Sequence, residues 1–351
     1  MIFAMNYHIE MLSVGAADAF ILYVIDTQDV GHLILIDAGN YKDGDMLVKH
    51  IRMYYNNPII DLAIVTHSDD DHYGGFVRML EKINSEDKDA IAIKRFWVND
   101  PSLNHIDVKD VKGINRQQTV NNKARTVYNC GQQNLLDMID SLRIPRSEKF
   151  AEIKNDVHGL PIIVPHDPLY TFLYIIGPTR KYYEELIPRF RDELKYKESD
   201  AMYRESSDVE TEQSLSPTLD NAVDDSSAHN QSSMIILFKP NDGEKYLFMG
   251  DAGREAFEKI PFFHRNIIRD VDWLKVPHHG SKHNLDSEMI RWIKPKIAYI
   301  SANTTDEYAN QCTINALKRA GCSVYSTHKD HCHFIHKQIG KREGYSTATP
   351  L

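Results

Sequence analysis

Cysteines are few in this 351-residue sequence, and the four present (Cys130, Cys312, Cys322 and Cys332) show no paired spacing. Such usage argues against a disulfide framework, and a chain of this length can bury a sizeable core without disulfides or a structural metal. The first residues also lack a basic leader followed by a small-residue cleavage site. We therefore expect a cytoplasmic protein with reduced thiols, in which any metal site serves chemistry.

Long apolar runs are missing as well. Apolar stretches such as 170–176 and 234–238 have the length of a strand and fall far short of the roughly 20 residues that span a bilayer. We therefore predict no membrane-spanning helix and no membrane partner.

Basic residues are outnumbered, since 41 Lys and Arg stand against 50 Asp and Glu and give a formal charge of −9. This balance argues weakly against wrapping long duplex DNA, which is held by many phosphate contacts to basic side chains. However, residues 199–229 alone contain eight acidic side chains and one basic side chain. The rest of the chain is close to neutral, so an anionic substrate remains compatible with it.

The hydrophobic pattern alternates between strands and helices in both halves of the chain, which predicts an α/β fold. We predict a single domain over residues 1–351 with an insertion at about 100–165. A second insertion, at about 178–229, begins with a helix and continues into an acidic, Ser-rich segment that is too polar to order itself. We expect this segment to be mobile and to offer a contact for a protein partner, while the oligomeric state is not indicated.

The strand predicted over 61–66 ends in the sequence His67-Ser-Asp69-Asp70-Asp71-His72-Tyr-Gly-Gly. Imidazoles and carboxylates at such short spacing can converge on a metal ion. A solvated acidic turn is the alternative, and the preceding strand and following glycines favour the metal site over it. We predict that the motif forms a tight loop and that the next helix covers 76–83.

Two later strands also end in residues that bind metals. Asp251 lies between Gly250 and Gly253 at the end of an apolar strand, a pattern that alone is also typical of a turn or a helix N-cap. His278 and His279 are adjacent on a loop that follows another strand. Paired histidines in this position favour a ligand loop over an ordinary surface loop.

In this order, the three elements resemble the metallo-β-lactamase fold. They resemble more closely the C-terminal metallo-β-lactamase-like domain of the bacterial competence DNA-uptake channel and its free-standing relatives. Three further stretches are similar to motifs of that group: Ser13-Val-Gly-Ala16-Ala17-Asp18-Ala19, with Ala16 and Ala17 in place of Gln and Gly; Ile36-Asp37-Ala38-Gly39; and Asn230-Gln-Ser-Ser-Met-Ile-Ile-Leu237. The resemblance runs from about residue 7 to 335, outside the two insertions, and implies a four-layer αββα arrangement.

The resemblance also implies two divalent metal ions. One ion would be held by His67 and Asp69, the other by Asp71, His72 and one histidine of the 278/279 pair, and Asp251 would bridge them. Zinc is the metal that the resemblance implies first. Asp69 stands where most members of the fold have a histidine, and this harder ligand favours manganese or iron relative to zinc.

Two choices of ligand stay open. Either His278 or His279 could be the ligand of the second ion, with the resemblance suggesting His279 and leaving His278 to face the substrate. The coordination of the first ion is completed by His229, by Asn230 or by a water molecule.

The expected chemistry is hydrolysis by a hydroxide that the two ions activate. Asp71 and His278 are the predicted catalytic residues, with His278 as proton donor or oxyanion clamp. Asp37 is expected to hydrogen-bond to a metal-binding side chain or to a loop amide and so hold it in place. Ser281 and Lys282 are expected to contact a phosphate.

These residues favour a phosphodiesterase or nuclease acting on nucleotides or nucleic acid. A hydrolase of acyl, lactone or thioester substrates is the first alternative, because the same attack works on a carbonyl carbon. A non-catalytic, partner-binding module of a multi-protein system is the second alternative.

Overall fold

Short apolar strands separated by polar turns build two mixed β-sheets. The computed structural model describes residues 6–104, 130–159, 161–200, 219–302, 308–327, 334–337, 342, 345 and 349–351.

The first half of the chain supplies most of a seven-stranded sheet. Its first three strands are antiparallel neighbours, and the following strands are added parallel to the third. The strands are β1 Asn6–Met11, β2 Ala19–Ile25, β3 Gly31–Ala38, β5 Leu62–Ile64, β7 Phe96–Trp97, β8 Arg146–Ser147 and β17 Phe334–His336. Their order across the sheet is β17-β1-β2-β3-β5-β7-β8.

The second half forms a six-stranded sheet whose strands follow one another in chain order. Its first three strands pair antiparallel and its last four pair parallel. They are β11 Leu173–Gly177, β12 Ile235–Phe238, β13 Tyr246–Phe248, β14 Trp273–Lys275, β15 Ile297–Ile300 and β16 Ser323–Ser326. Two short ladders pair β4 Ile59–Ile60 with β6 Ala92–Ile93 and β9 Lys154–Asn155 with β10 Pro161–Ile162.

Helices cover the outer faces of both sheets. The described helices are α1 Gly44–Tyr54, α2 Asp70–Asn84, α3 Cys130–Ser141, α4 Arg180–Asp200, α5 Ala228–Gln231, α6 Arg254–Glu258, α7 Phe262–Ile267, α8 Ser287–Ile293 and α9 Gln311–Arg319. Helices α1 to α3 pack on the first sheet, whereas α4, α6, α8 and α9 pack on the second.

Period-two alternation explains how each strand serves two layers. In β2, Phe20 points into the cluster between the sheets, while Ile21 joins the helix-side core. Phe20 meets Phe248 and Trp273 of the other sheet edge to face, with ring centroids 5.5 and 6.1 Å apart. Burying each such side chain stabilises the fold by about 1.5–3 kcal/mol. The predicted four-layer αββα arrangement is confirmed.

Parallel pairing brings the strand ends that carry the motifs to one edge. Ile36 of β3 lies beside Ile64 of β5, and Phe248 of β13 lies beside Lys275 of β14. The two sheets also meet at this edge, because the amide of Met234 donates to the carbonyl of Thr66 (2.8 Å). The residues that follow all four strands therefore converge.

The insertions are described in part, since 105–129, 160 and 201–218 lie outside the described residues. Residues 219–229, predicted as part of the mobile segment, include side chains that pack against the rest of the fold, such as Leu219 and Ala228. Leu219 is buried and its carbonyl accepts a hydrogen bond from the guanidinium of Arg254 (3.0 Å). Apolar burial and hydrogen bonds from Arg254 thus hold parts of this stretch, and the mobility of the segment stays a prediction. The domain extent and the partner contact stay predictions.

Within the described part of the chain, no helix has both the length and the apolar character to cross a membrane. The cytoplasmic location stays a prediction.

Candidate metal centre

Residues 70–75, predicted as part of a tight loop, form the beginning of a helix. Helix α2 starts at Asp70, so Asp71 and His72 lie in its first turn, and the predicted start at residue 76 is wrong. Carboxylates at a helix N-terminus interact favourably with its dipole, which favours this early start. Gly75, expected to end the loop, is instead a contact point, because a Cβ there would lie 2.0 Å from the carbonyl oxygen of Ala38.

Four side chains from three parts of the chain form a group that could hold a metal ion. They are Asp71, His72, Asp251 and His279, whose ligand atoms all lie within 4.8 Å of one another. His279 Nε2 is 3.1 Å from Asp71 Oδ2, and His72 Nε2 is 3.4 Å from Asp251 Oδ2. Among the described residues, the buried His72 Nε2 has no hydrogen-bond partner. An unpaired buried nitrogen facing a carboxylate fits a metal ligand.

His67 and Asp69 lie on the other side of Asp251. His67 Nε2 is 3.8 Å from Asp69 Oδ2 and 4.0 Å from Asp251 Oδ2. Burial and the neighbouring charge of His72 lower the pKa of His67 to about 4, which leaves its ring neutral at pH 7. Its Nε2 likewise lacks a hydrogen-bond partner in the described ranges. Asp251 Oδ2 therefore lies between the two predicted ligand sets.

Charge is tightly balanced inside this group. Burial would lower the pKa of His72, but the carboxylates of Asp251, Asp71 and Asp37 outweigh it and raise that pKa well above its usual value. Burial would raise the pKa of Asp251, but the charges of His72, His279 and other cations hold it well below its usual range. The carboxyl group is thus ionised and His72 carries the compensating proton, which a bound metal ion would displace.

Asp37 contacts His72 on the side of the ring away from Asp251; its role in orienting a metal ligand stays a prediction. His72 Nδ1 donates to Asp37 Oδ2 (2.8 Å), which turns Nε2 toward Asp251. The backbone amide and hydroxyl of Thr66 donate to the two Asp37 oxygens (2.8 and 2.7 Å). Asp37 is therefore fixed by the residue that precedes the metal loop.

The two adjacent histidines have different surroundings. His279 is 1% exposed, and its Nδ1 donates to the carbonyl of Ser301 (2.8 Å), which directs Nε2 into the four-residue group. The side chain of His278 is 23% exposed, and its Nδ1 is 2.9 Å from Asn284 Oδ1. Burial opposes protonation of His278, but Asp251 and Asp225 outweigh it and raise its pKa to about 9. His279 is the member inside the group; the ligand role itself stays a prediction.

Other predicted residues lie near the group without joining its ligand atoms in the described part of the structure. The ring of His229 stacks on Phe190 (4.4 Å) and its Nδ1 is 2.6 Å from Ser68 Oγ. Asn230 Nδ2 donates to Asp225 Oδ2 (2.7 Å).

The loop after the two histidines holds the predicted phosphate contacts. Ser281 is buried and its hydroxyl oxygen accepts from the amide of His283 (3.2 Å), while Lys282 is partly exposed. Their contact with a phosphate stays a prediction.

Two buried charged residues of the site escaped the sequence-based ligand assignment. Asp18 lies immediately before β2 and is 1% exposed, and its Oδ1 is 3.6 Å from His279 Nδ1. Lys275 ends β14 and forms an ion pair with Asp18. Asp18 lies within the stretch 13–19 that resembles a motif of the competence group, and this resemblance was the signal for it. For Lys275 the signal was a lone lysine in an apolar strand.

The chain is similar to ComE operon protein 3 of Bacillus subtilis (strain 168), with 33% identity over 102 residues. The match covers 28% of this chain and 13% of that protein, so the chain spans a small part of the length of its curated relative. This match confirms the resemblance to the competence group over the 102 residues that it covers. No family model matches the chain.

Among solved structures, the chain is similar to a long form RNase Z from yeast, with 11% identity and a TM-score of 0.37. That alignment covers 86% of this chain and 37% of the yeast chain. The similarity is too weak to argue from.

Proposed function

We propose that the chain is a metal-dependent hydrolase of phosphodiesters in nucleic acid or nucleotides. The observation that carries the proposal is the clustering of ligand atoms of Asp71, His72, Asp251 and His279 within 4.8 Å at a shared edge of strand ends. In α/β folds such edges are where active sites lie. The unpaired Nε2 atoms of buried histidines in the described structure support metal binding there.

The proposed centre has two parts that share Asp251 Oδ2. His67 and Asp69 form one part, and Asp71, His72 and His279 form the other. Divalent ions bound there would lower the pKa of a bound water toward about 7 and stabilise negative charge on a phosphate. We propose zinc as the first candidate metal; the carboxylates of Asp69 and Asp71 make manganese and iron the alternatives.

His278 is proposed to act on the substrate. Its partial exposure, its hydrogen bond to Asn284 (2.9 Å) and its Nε2 at 3.8 Å from Asp251 Oδ2 support a side chain held at the rim of the centre. An imidazolium there can protonate the leaving oxygen or stabilise a developing oxyanion. We propose that Ser281 and Lys282, on the same loop, contact the phosphate.

The test is turnover of a chromogenic phosphodiester and of single-stranded DNA with zinc, manganese or ferrous iron. Asp71→Asn is expected to abolish turnover, because it removes an anionic ligand and leaves the shape of the side chain. Asp70→Asn is the matched control, since Asp70 is exposed and accepts from the hydroxyl of Tyr73. It should retain wild-type turnover.

Parallel assays of lactone and thioester substrates distinguish the alternatives. Cleavage of these substrates with no cleavage of phosphodiesters would replace the proposal by the acyl-hydrolase alternative. A protein that binds metal and turns over none of the substrates would favour the non-catalytic, partner-binding module.

A further inference from the structure

Lys275 places a positive charge inside the candidate metal centre. Its side chain is 1% exposed at the end of β14. The ammonium donates to the carbonyl of Gly250 (2.7 Å) and to Asp251 Oδ1 (3.3 Å), and it pairs with the carboxylate of Asp18. An ammonium has three hydrogens, and three acceptors surround this one. All three hydrogens of the Lys275 ammonium therefore face acceptors within the protein, and none is left for a substrate.

The two oxygens of Asp251 consequently face different partners. Oδ1 faces the ammonium of Lys275, whereas Oδ2 faces imidazole nitrogens. The distances from Oδ2 to Nε2 are 3.4 Å for His72, 3.7 Å for His279, 3.8 Å for His278 and 4.0 Å for His67. Lys275 thus orients the carboxylate so that a single oxygen points toward the predicted ligands.

Asp18 belongs to a second group with the composition of a cation site. The ligand atoms of Asp18, Asp37 and His72 lie within 4.8 Å of one another, and all three side chains are buried. Two buried carboxylates need a compensating charge. The ammonium of Lys275, paired with Asp18, supplies one on this side of the centre.

We propose that Lys275 is a positioning residue that acts as a built-in cation. Its ammonium keeps a divalent ion off the Asp18–Asp37–His72 group and fixes Asp251 as a ligand through Oδ2 alone. The proposal rests on metal binding at the centre described above. It does not depend on which bond the protein hydrolyses, so absence of phosphodiester turnover would leave it intact.

The test counts manganese ions per chain by equilibrium dialysis and elemental analysis, with the wild type beside Lys275→Met and Lys275→Arg. Methionine keeps the length of the lysine side chain and removes its charge. Lys275→Met is expected to bind one more ion per chain than the wild type. Adding Asp18→Asn should abolish the extra ion, and Lys275→Arg should keep the wild-type number because it keeps the charge.

A merely structural lysine would lower stability in both neutral and charged variants without changing the ion count. Without metal, Lys275→Met is expected to have a lower melting temperature than the wild type. Manganese should reduce this difference in melting temperature, because an ion takes the place of the ammonium. Should Lys275→Met not fold, Lys275→Gln, which keeps a donor for the carbonyl of Gly250, carries the same expectation. An unchanged ion count in the neutral variant, or a wild type that binds no ion, would overturn the proposal.

Discussion

The hydrogen bond between Asp37 and His72 is the contact whose loss is most easily read out. Replacing Asp37 by asparagine keeps the size and shape of the side chain but turns one acceptor into a donor. Asp37 accepts three hydrogen bonds, from His72 Nδ1 (2.8 Å) and from the amide and hydroxyl of Thr66 (2.8 and 2.7 Å). In either orientation of the new amide, its NH₂ group meets at least one of these donors.

The expected magnitude follows from the role of such a contact. A residue that fixes the orientation of a metal-binding histidine typically contributes 10- to 100-fold to metal affinity. We therefore expect Asp37→Asn to weaken manganese or zinc binding by about 10- to 100-fold, which is about 1.4–2.7 kcal/mol. The fold should survive, because the amide can still accept from one donor of Thr66.

Competition with a fluorescent chelator measures this affinity directly. Asp61→Asn is the matched control, because Asp61 Oδ2 accepts from the amide of Leu33 (2.9 Å) near the opposite end of the β3–β5 pair. We expect Asp61→Asn to bind metal as the wild type does. Metal affinity of Asp37→Asn within twofold of the wild type would refute the assigned role of Asp37.

Two predictions concern stability. Burial would raise the pKa of Glu10, but hydrogen bonds from His50 and other donors, with the charge of Arg342, outweigh burial and hold that pKa well below its usual value of 4.5. The contribution of the ionised Glu10 to stability is therefore full above about pH 4.5 and is lost as the pH falls. Glu10→Gln should lower the free energy of unfolding at pH 7 by about 3–5 kcal/mol, and this free energy should fall less steeply in acid than that of the wild type. Denaturant titrations from pH 3 to 7 measure both effects, and an equally steep fall in the variant and the wild type would contradict the prediction. Gly75→Ala should lower the melting temperature in calorimetry, because the methyl group would meet the backbone of Ala38; an unchanged midpoint would disprove this close approach.

Local patterns were sufficient to predict the strands and the α/β class, whereas the four layers were predicted from the resemblance to the metallo-β-lactamase fold. Every residue of β2 and β12 is apolar, so the sequence does not distinguish the residues that face the other sheet from those that face the helices. The tertiary structure makes that division. The start of α2 could not be read from local patterns either, since three acidic residues followed by two glycines are also typical of a loop. Packing against β3 and the favourable helix dipole decide the conformation there.

The histidines and carboxylates of the centre were recognisable because each follows a strand. Lys275 was not, because its role depends on Asp18, which the chain brings from near its N-terminus, and no spacing reveals that pair. The acidic segment shows a similar limit. Its composition predicts mobility, whereas the hydrogen bonds from Arg254 to the carbonyls of Leu219 and Ala222 depend on the tertiary structure.

Anomalous scattering from crystals grown with manganese is the most direct test of the central claim. The account predicts a manganese peak in direct contact with side-chain atoms of Asp71, His72, Asp251 and His279. Manganese at millimolar concentration that leaves this group without a peak, in crystals whose fold agrees with the one described, would contradict it.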